Sequence, residues 1–330
     1  MKKLVICLCL VGMGMLGCKD VKETVQTIEL RGTVMEAEEM PFMRVPHRVE
    51  LDGRVMAVLD LTADSMSYHF VEYPSLKYLC SAGRKGNGAD EILLPTPFQF
   101  SDRKAYLMDG ANSLLYTYAF DGDSVTLSGR WKVADTRTLD YAVLNDTTLL
   151  LEDFNGTHRL YEVTPNTRRG MFSIPGLENG AQADAESAYL WRSYMAYNAS
   201  LHRVALATQN GDVLEVYDLK DGSSDVQVGQ DGAPRDGKGQ IEGFHDIKWI
   251  NDTIYTLYSG RLREELIRKL QQGQKEPDGG NFIKVYNRDG EFVRQYRLDT
   301  YINGFTYDAA RHRLIGVGSN QDNPFVYFNL

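Results

Sequence analysis

Cysteine is scarce in this 330-residue chain, occurring only at positions 7, 9, 18 and 80. Four scattered thiols exclude the spaced Cys clusters of zinc and iron–sulfur sites. The six histidines, at 47, 69, 158, 202, 245 and 312, form no H-E-x-x-H and no closely spaced ligand pair. Neither a Walker nor a Rossmann glycine spacing occurs, so no cofactor is expected. Positive charge is also in deficit: 36 Lys and Arg face 45 Asp and Glu, a net charge of -9. That balance argues against a nucleic-acid partner, whose phosphates call for a basic surface. The apolar run from Leu4 to Leu16 is too short to span a bilayer. No block of like charge marks a disordered tail.

What is present begins at the N-terminus. Lys2 and Lys3 precede that apolar run, which ends in Leu16-Gly17-Cys18. This resembles a bacterial lipoprotein signal, with Leu16 bulkier than the residue usual there. The resemblance implies a signal peptide over 1–17, a lipid on Cys18 that makes the membrane a partner, and a polar tether over 18–23. It places the protein in the cell envelope, anchored to the outer membrane and either periplasmic or surface-exposed. The stretch Lys19 to Glu23 reads equally as a solvated linker or as an outer-leaflet export signal. Cys7 and Cys9 would leave with the signal, so Cys80, in apolar Tyr78-Leu79-Cys80, is expected to be a small packed residue.

The remainder reads as all-β. Hydrophobic residues make up 43% and aromatics 11%, enough for a large core. Asp-Gly occurs at 52, 109, 121, 221, 231, 236, 278 and 289, and Asn-Gly at 87, 155, 179, 210 and 303. Both dipeptides accept positive φ in tight hairpins. Between them lie short apolar runs such as 54–59, 113–118, 212–217 and 282–286. Aligned, the runs repeat as strand, turn, strand ending in Tyr, polar turn and outer strand. The clearest copies span 112–133, 155–174, 210–228 and 281–298, with weaker units near 48–82 and 301–330. About six such units predict a six-bladed β-propeller of four-stranded antiparallel blades in one domain over 24–330. The last unit supplies only three strands, so Thr24 to Val34 is expected to complete it. One insertion, Arg261 to Gln274, has helical periodicity, with Leu262, Leu266, Ile267 and Leu270 along one face. Packing against its own propeller is its expected role.

Three segments, 83–91, 254–261 and 283–291, resemble the TolB-like six-bladed propeller lipoproteins of Bacteroidetes. Ala89 stands where the family usually carries proline. The resemblance implies a fold, an anchor and a compartment, but no reaction.

Candidate site residues come from the loops that join each outer strand to the next inner strand, because these converge over a propeller's channel. They supply Arg84, Lys85, Tyr141, Trp191, Arg192, Arg235, His245, Tyr301 and Asn303, an aromatic and cationic set suited to a sugar or peptide. Trp191 with Arg192 and Tyr301 is the favoured patch. Glycines 83, 86 and 88 beside Arg84 and Lys85 would suit an anion, but no helix follows, and an interblade turn is the better reading. His245-Asp246 is the one acid–imidazole neighbour pair, and strand alternation would send the two to opposite faces. The sequence therefore favours a non-enzymatic binder or scaffold for a glycan, peptide or envelope protein. A channel-sited hydrolase or lyase, possibly metal-dependent, is the alternative.

Overall fold

In a computed structural model the protein is described over residues 26–36, 40–133, 136–175 and 185–330. The signal segment, Cys18 and the tether lie outside the described residues. So do Asp135 and residues 176–184 of the expected loop set.

The chain starts with β1 (Thr27–Leu30) and β2 (Gly32–Val34). Blade one is β3 (Pro46–Asp52), β4 (Val55–Asp60), β5 (Met66–Glu72) and β6 (Lys77–Arg84). Blade two is β7 (Gln99–Ser101), β8 (Lys104–Asp109), β9 (Leu114–Asp121) and β10 (Ser124–Lys132). Blade three is β11 (Tyr141–Asn145), β12 (Thr148–Leu151), β13 (Leu160–Val163) and β14 (Arg168–Met171). A one-turn helix that the sequence pattern did not reveal, α1 (Ala185–Leu190), leads into blade four. That blade is β15 (Ser193–Asn198), β16 (Arg203–Thr208), β17 (Val213–Asp218) and β18 (Ser224–Val228). Blade five holds β19 (Ile241–Ile250), β20 (Thr253–Leu262), α2 (Arg263–Gln271), β21 (Gly280–Tyr286) and β22 (Phe292–Ile302). Blade six has β23 (Gly304–Asp308), β24 (Arg313–Val317) and β25 (Phe325–Asn329). The expected six-bladed propeller is thus present.

The middle strands are apolar on both faces, and the packing explains why. In β4, Ala57 and Leu59 join a cluster with Phe98, Phe100 and Phe120 of the blade-two side, while Met56 and Val58 join Ile315, Val317 and Phe325 of blade six. Alternate side chains of one strand thus serve two neighbours. The same division repeats in β16, where Val204 and Leu206 meet blade three and Ala205 and Ala207 meet blade five. Six such seams, one per blade pair, form the core. Buried ion pairs reinforce two of them: Arg159 to Glu215 at 2.5 Å and Lys284 to Asp212 at 2.7 Å. Cys80 packs against the first seam, and burial pushes its thiol up to about 11, which keeps it unreactive.

The N-terminal segment closes the ring and does more than expected. β2 pairs antiparallel with β25 and supplies the missing outer strand of blade six. β1 instead runs parallel to β22 and widens blade five to five strands. The crossing between the two blades is made at Gly32, where a Cβ would come within 2.5 Å of Val326. The Asp-Gly and Asn-Gly pairs at 52, 109, 121, 210, 221 and 289 sit in short turns between paired strands, and the pair at 303 joins β22 to β23.

Helix α2 departs from expectation. It spans nine residues of the β20–β21 connection and buries none of them; Ile267 is 46% and Leu270 61% exposed. Ile267 and Leu270 face solvent, while Leu262 at the end of β20 packs against the seam of blades four and five and Leu266 is half-buried.

Candidate functional site

Each inner strand, β3, β7, β11, β15, β19 and β23, runs from the face of the interblade loops to the face of the short hairpin turns, and their first residues meet around the axis. Arg48 of β3 is 3% exposed there. Its Nη1 donates to Asp140 Oδ2 at 2.5 Å, its Nη2 lies 3.7 Å from Asp246 Oδ1, and its Nε donates to Glu50 at 3.2 Å. Asp140 precedes β11 and Asp246 lies in β19, so one guanidinium ties blades one, three and five across the channel. Each carboxylate also clips a neighbouring blade. Asp140 accepts from Tyr141 N and, in blade four, Met195 N; Asp246 accepts from Ile247 N and, in blade six, Phe305 N. Desolvation lifts the Asp140 pKa despite Arg48, while the surrounding carboxylates hold the guanidinium charged. Arg48 therefore divides the channel into two mouths.

The turn-side mouth is open. A cavity of about 590 Å³ is lined by Glu50, Gln99, Lys104, Tyr106, Asp146, Tyr197, Lys248 and Trp249, among others. Its charges are mutually matched. Lys248 pairs with Glu50 and lies 3.8 Å from Asp246, and Lys104 holds Asp146 at 2.7 Å. Gln99 is spent bridging to blade three, donating to Tyr141 O at 3.0 Å and accepting from Val143 N at 2.9 Å.

The loop-side mouth holds buried polar atoms that lack hydrogen-bond partners. His47 lies at a register shift between Pro46 and Arg48, and His245 at one between Phe244 and Asp246. Blades one and five thus carry matching bulges, each placing an imidazole just before a charged channel residue. Between them, blade six contributes Asn303, 1% exposed, whose Nδ2 donates to Pro46 O at 3.1 Å and Asp278 at 3.2 Å. Gly304 follows because a Cβ there would meet His47 O at 2.3 Å. Among the described residues, Nδ1 of His47 and Oδ1 of Asn303 are buried with no hydrogen-bond partner, and buried Nε2 of His245 has only Glu242 Oε2, 3.8 Å away. Burial, then repulsion from His245 and Arg48, lowers the His47 pKa to about 4, while Asp246 and Asp278 pull the other way. Tyr194 Oη approaches His47 Nε2 at 3.4 Å. Burial alone would raise Glu242. His245, 3.8 Å away, and the hydrogen bonds from Ser259 and Arg261 outweigh that and bring it down to about 2. Among the described residues no group of three or more His, Cys, Asp or Glu is arranged to hold a metal ion.

Of the residues expected from sequence, His245 and Asn303 meet at this mouth. The others disperse. Tyr141 is fully buried in the seam between blades two and three, its hydroxyl donating to Tyr106 O, and offers a ligand no surface. Trp191 packs with Ile174 and Ala188 beside α1, and Arg192 stacks 4.0 Å above Tyr189. Tyr301 has Arg261 5.0 Å from its ring, so the three members of the favoured patch have separate neighbours. Arg235 bonds its own loop at Asp231 O, and Lys85 is tied to Ala63 O. Arg84 is exposed at the end of β6. The glycine cradle after it is filled by this chain's own anion: Glu91 Oε2 accepts from Gly88 N at 2.8 Å, and a Cβ at Gly86 would collide with it. That is the interblade turn expected. Asp246 was weighed only as the neighbour of His245, and His47, Arg48 and Asp140 were not singled out, although their common place at inner-strand starts was the available signal.

Residues 26–310 match a family model described as TolB-like 6-blade propeller-like. No curated protein matches the sequence. Among solved structures, a putative exported protein from Bacteroides fragilis is 11% identical with a TM-score of 0.56, over 91% of this chain and 94% of that one. A DUF4221 family member from Bacteroides vulgatus is 9% identical with a TM-score of 0.54, over 92% and 97%. A gluconolactonase from Xanthomonas campestris is 11% identical with a TM-score of 0.50, over 87% and 86%. At such identities the likeness is one of fold alone.

Proposed function

Because this chain belongs to the TolB-like six-bladed propeller family, we propose that it is a lipid-anchored protein of the cell envelope that binds a glycan, without transforming it, at the turn-side mouth of its channel. The anchor rests on the lipobox at Cys18; among the described residues no helix is long and apolar enough to cross a membrane. The carrying observation for the ligand is the 590 Å³ cavity on the channel axis. Partly exposed Trp249 and Tyr197 offer flat faces for the C–H side of a sugar ring. Around them, carboxylates, ammonium groups and an Asn provide donors and acceptors for hydroxyls. Matched charges suit a neutral ligand better than an ion. Binding of the purified protein to a glycan array tests this, with Tyr197→Ala expected to weaken a hit about tenfold. A parent that binds peptides and no glycan, or a variant that binds glycan unchanged, overturns it.

A second reading, a channel hydrolase or lyase, is favoured by the three unpartnered atoms of the loop-side mouth. There His47, neutral at pH 7, is the group able to accept a proton. Turnover of a lactone or uronate-glycan panel that His47→Gln abolishes would establish it.

A further inference from the structure

The turn-side face stands in a fixed relation to the N-terminus. β22 climbs from the turn at 287–291 to Ile302 at the loop-side mouth, and β1 runs parallel to it, with Thr27 opposite Gln295 and Leu30 opposite Leu298. β2 continues in the same sense along β25. The chain therefore enters the sheet from the turn side. Only Lys19 to Gln26 separate Cys18 from Thr27, and nine extended steps reach about 30 Å. For the loop-side face to lie on the membrane, the tether would have to double back past Gln295 to Ile302, about 23 Å at strand rise. It would then have to clear the loops and α2.

We propose that the turn-side face lies against the headgroup layer of the membrane holding the Cys18 lipid, so that the channel-mouth cavity opens toward the bilayer and α2 points away from it. The inference rests on the anchor reading above. Although the chain carries a net charge of -9, cations on this face each hold a carboxylate, Arg54 with Glu72, Arg103 with Asp121, Lys104 with Asp146 and Arg203 with Asp289, which offsets part of its negative charge beside the headgroups. The glycans within reach of the cavity are then those displayed on that membrane.

The test uses the full lipidated chain in vesicles containing a headgroup-labelled acceptor lipid. Single cysteines carry the donor in a Cys80→Ser background, at Asp252→Cys in the β19–β20 turn or Lys238→Cys in the loop before β19. Energy transfer is expected to be several-fold greater from 252 than from 238. Inserting about twenty Gly/Ser residues after Glu23, a coil reaching about 25 Å, should even the two. Flotation with the vesicles and fatty-acid labelling report the anchor separately. A parent that does not float overturns the anchor and this assignment with it; one that floats with equal or reversed transfer overturns the orientation alone.

Discussion

The two mouths of the channel differ in opposite respects. The turn-side mouth has room, but its polar groups are already matched by one another. The loop-side mouth has three buried polar atoms without hydrogen-bond partners among the described residues. Space and chemical demand are therefore separated by one side chain, Arg48. Loose recognition of a sizeable neutral ligand fits the first, whereas the second fits a water or a small polar group held tightly.

The largest expected effect comes from removing the divider. Arg48→Met leaves Asp140 buried without its cation, while Asp246 keeps Lys248 at 3.8 Å, and urea unfolding should show a loss of about 3–5 kcal/mol. Adding Asp140→Asn should restore part of it, because the uncompensated charge carries most of the cost. If Arg48→Met unfolds like the parent, the mouths are not energetically divided.

The next effect concerns pH. His47 titrates at about 4 when folded and near its ordinary 6.5 when unfolded. Between those values the unfolded chain binds more protons, so stability rises with pH and is lost as pH falls from about 6.5 to 4, by at most about 3 kcal/mol. Glu242 is displaced the same way, from 4.5 to about 2, and its contribution is lost only as pH falls below about 4.5. Glu152, raised to about 7 by burial, works in the opposite sense over the same range, so the urea midpoint of the parent should fall relative to that of His47→Gln between pH 7 and pH 4. Equal falls in both would remove the unmet demand from His47.

The smallest effect lies on the loop-side rim. Ile267→Ser and Leu270→Ser remove exposed apolar groups from α2, and thermal unfolding should report changes within about 0.5 kcal/mol each. A larger loss would mean that the rim, and not only the channel, is under tension.

The fold was readable because its causes are local. Turn dipeptides mark the hairpins, and strands such as 56–59 or 204–207 are apolar at every position because a blade is covered on both faces. The channel was much less readable. His47 and His245 become equivalent only once the ring closes and each strand bulges, and neither event leaves a mark in the residues nearby. Strand alternation assigned His245 and Asp246 to opposite faces, yet the register shift between Phe244 and Asp246 interrupts that rule. Periodicity found α2 but could not report that Ile267 and Leu270 of its apolar face stay exposed. Tyr141 sits at a loop end in the sequence and in the core in space, because β11 begins there.

The closing strand also sets an order of events. Gly32 donates to Asp299, 267 residues later, and Gln295 bonds Thr27 across 268. Loop closure over such separations is slow and comes after local hairpins have formed. The earliest residues of the folded part therefore wait for nearly the latest ones. During synthesis and export five blades can assemble pairwise, while the sixth stays incomplete until the C-terminal strands are delivered. A chain halted short of β25 would leave β24 and β2 without their partner and present a bare edge, ready to pair with another copy. Truncation late in this sequence should thus be far more damaging than its few missing residues suggest.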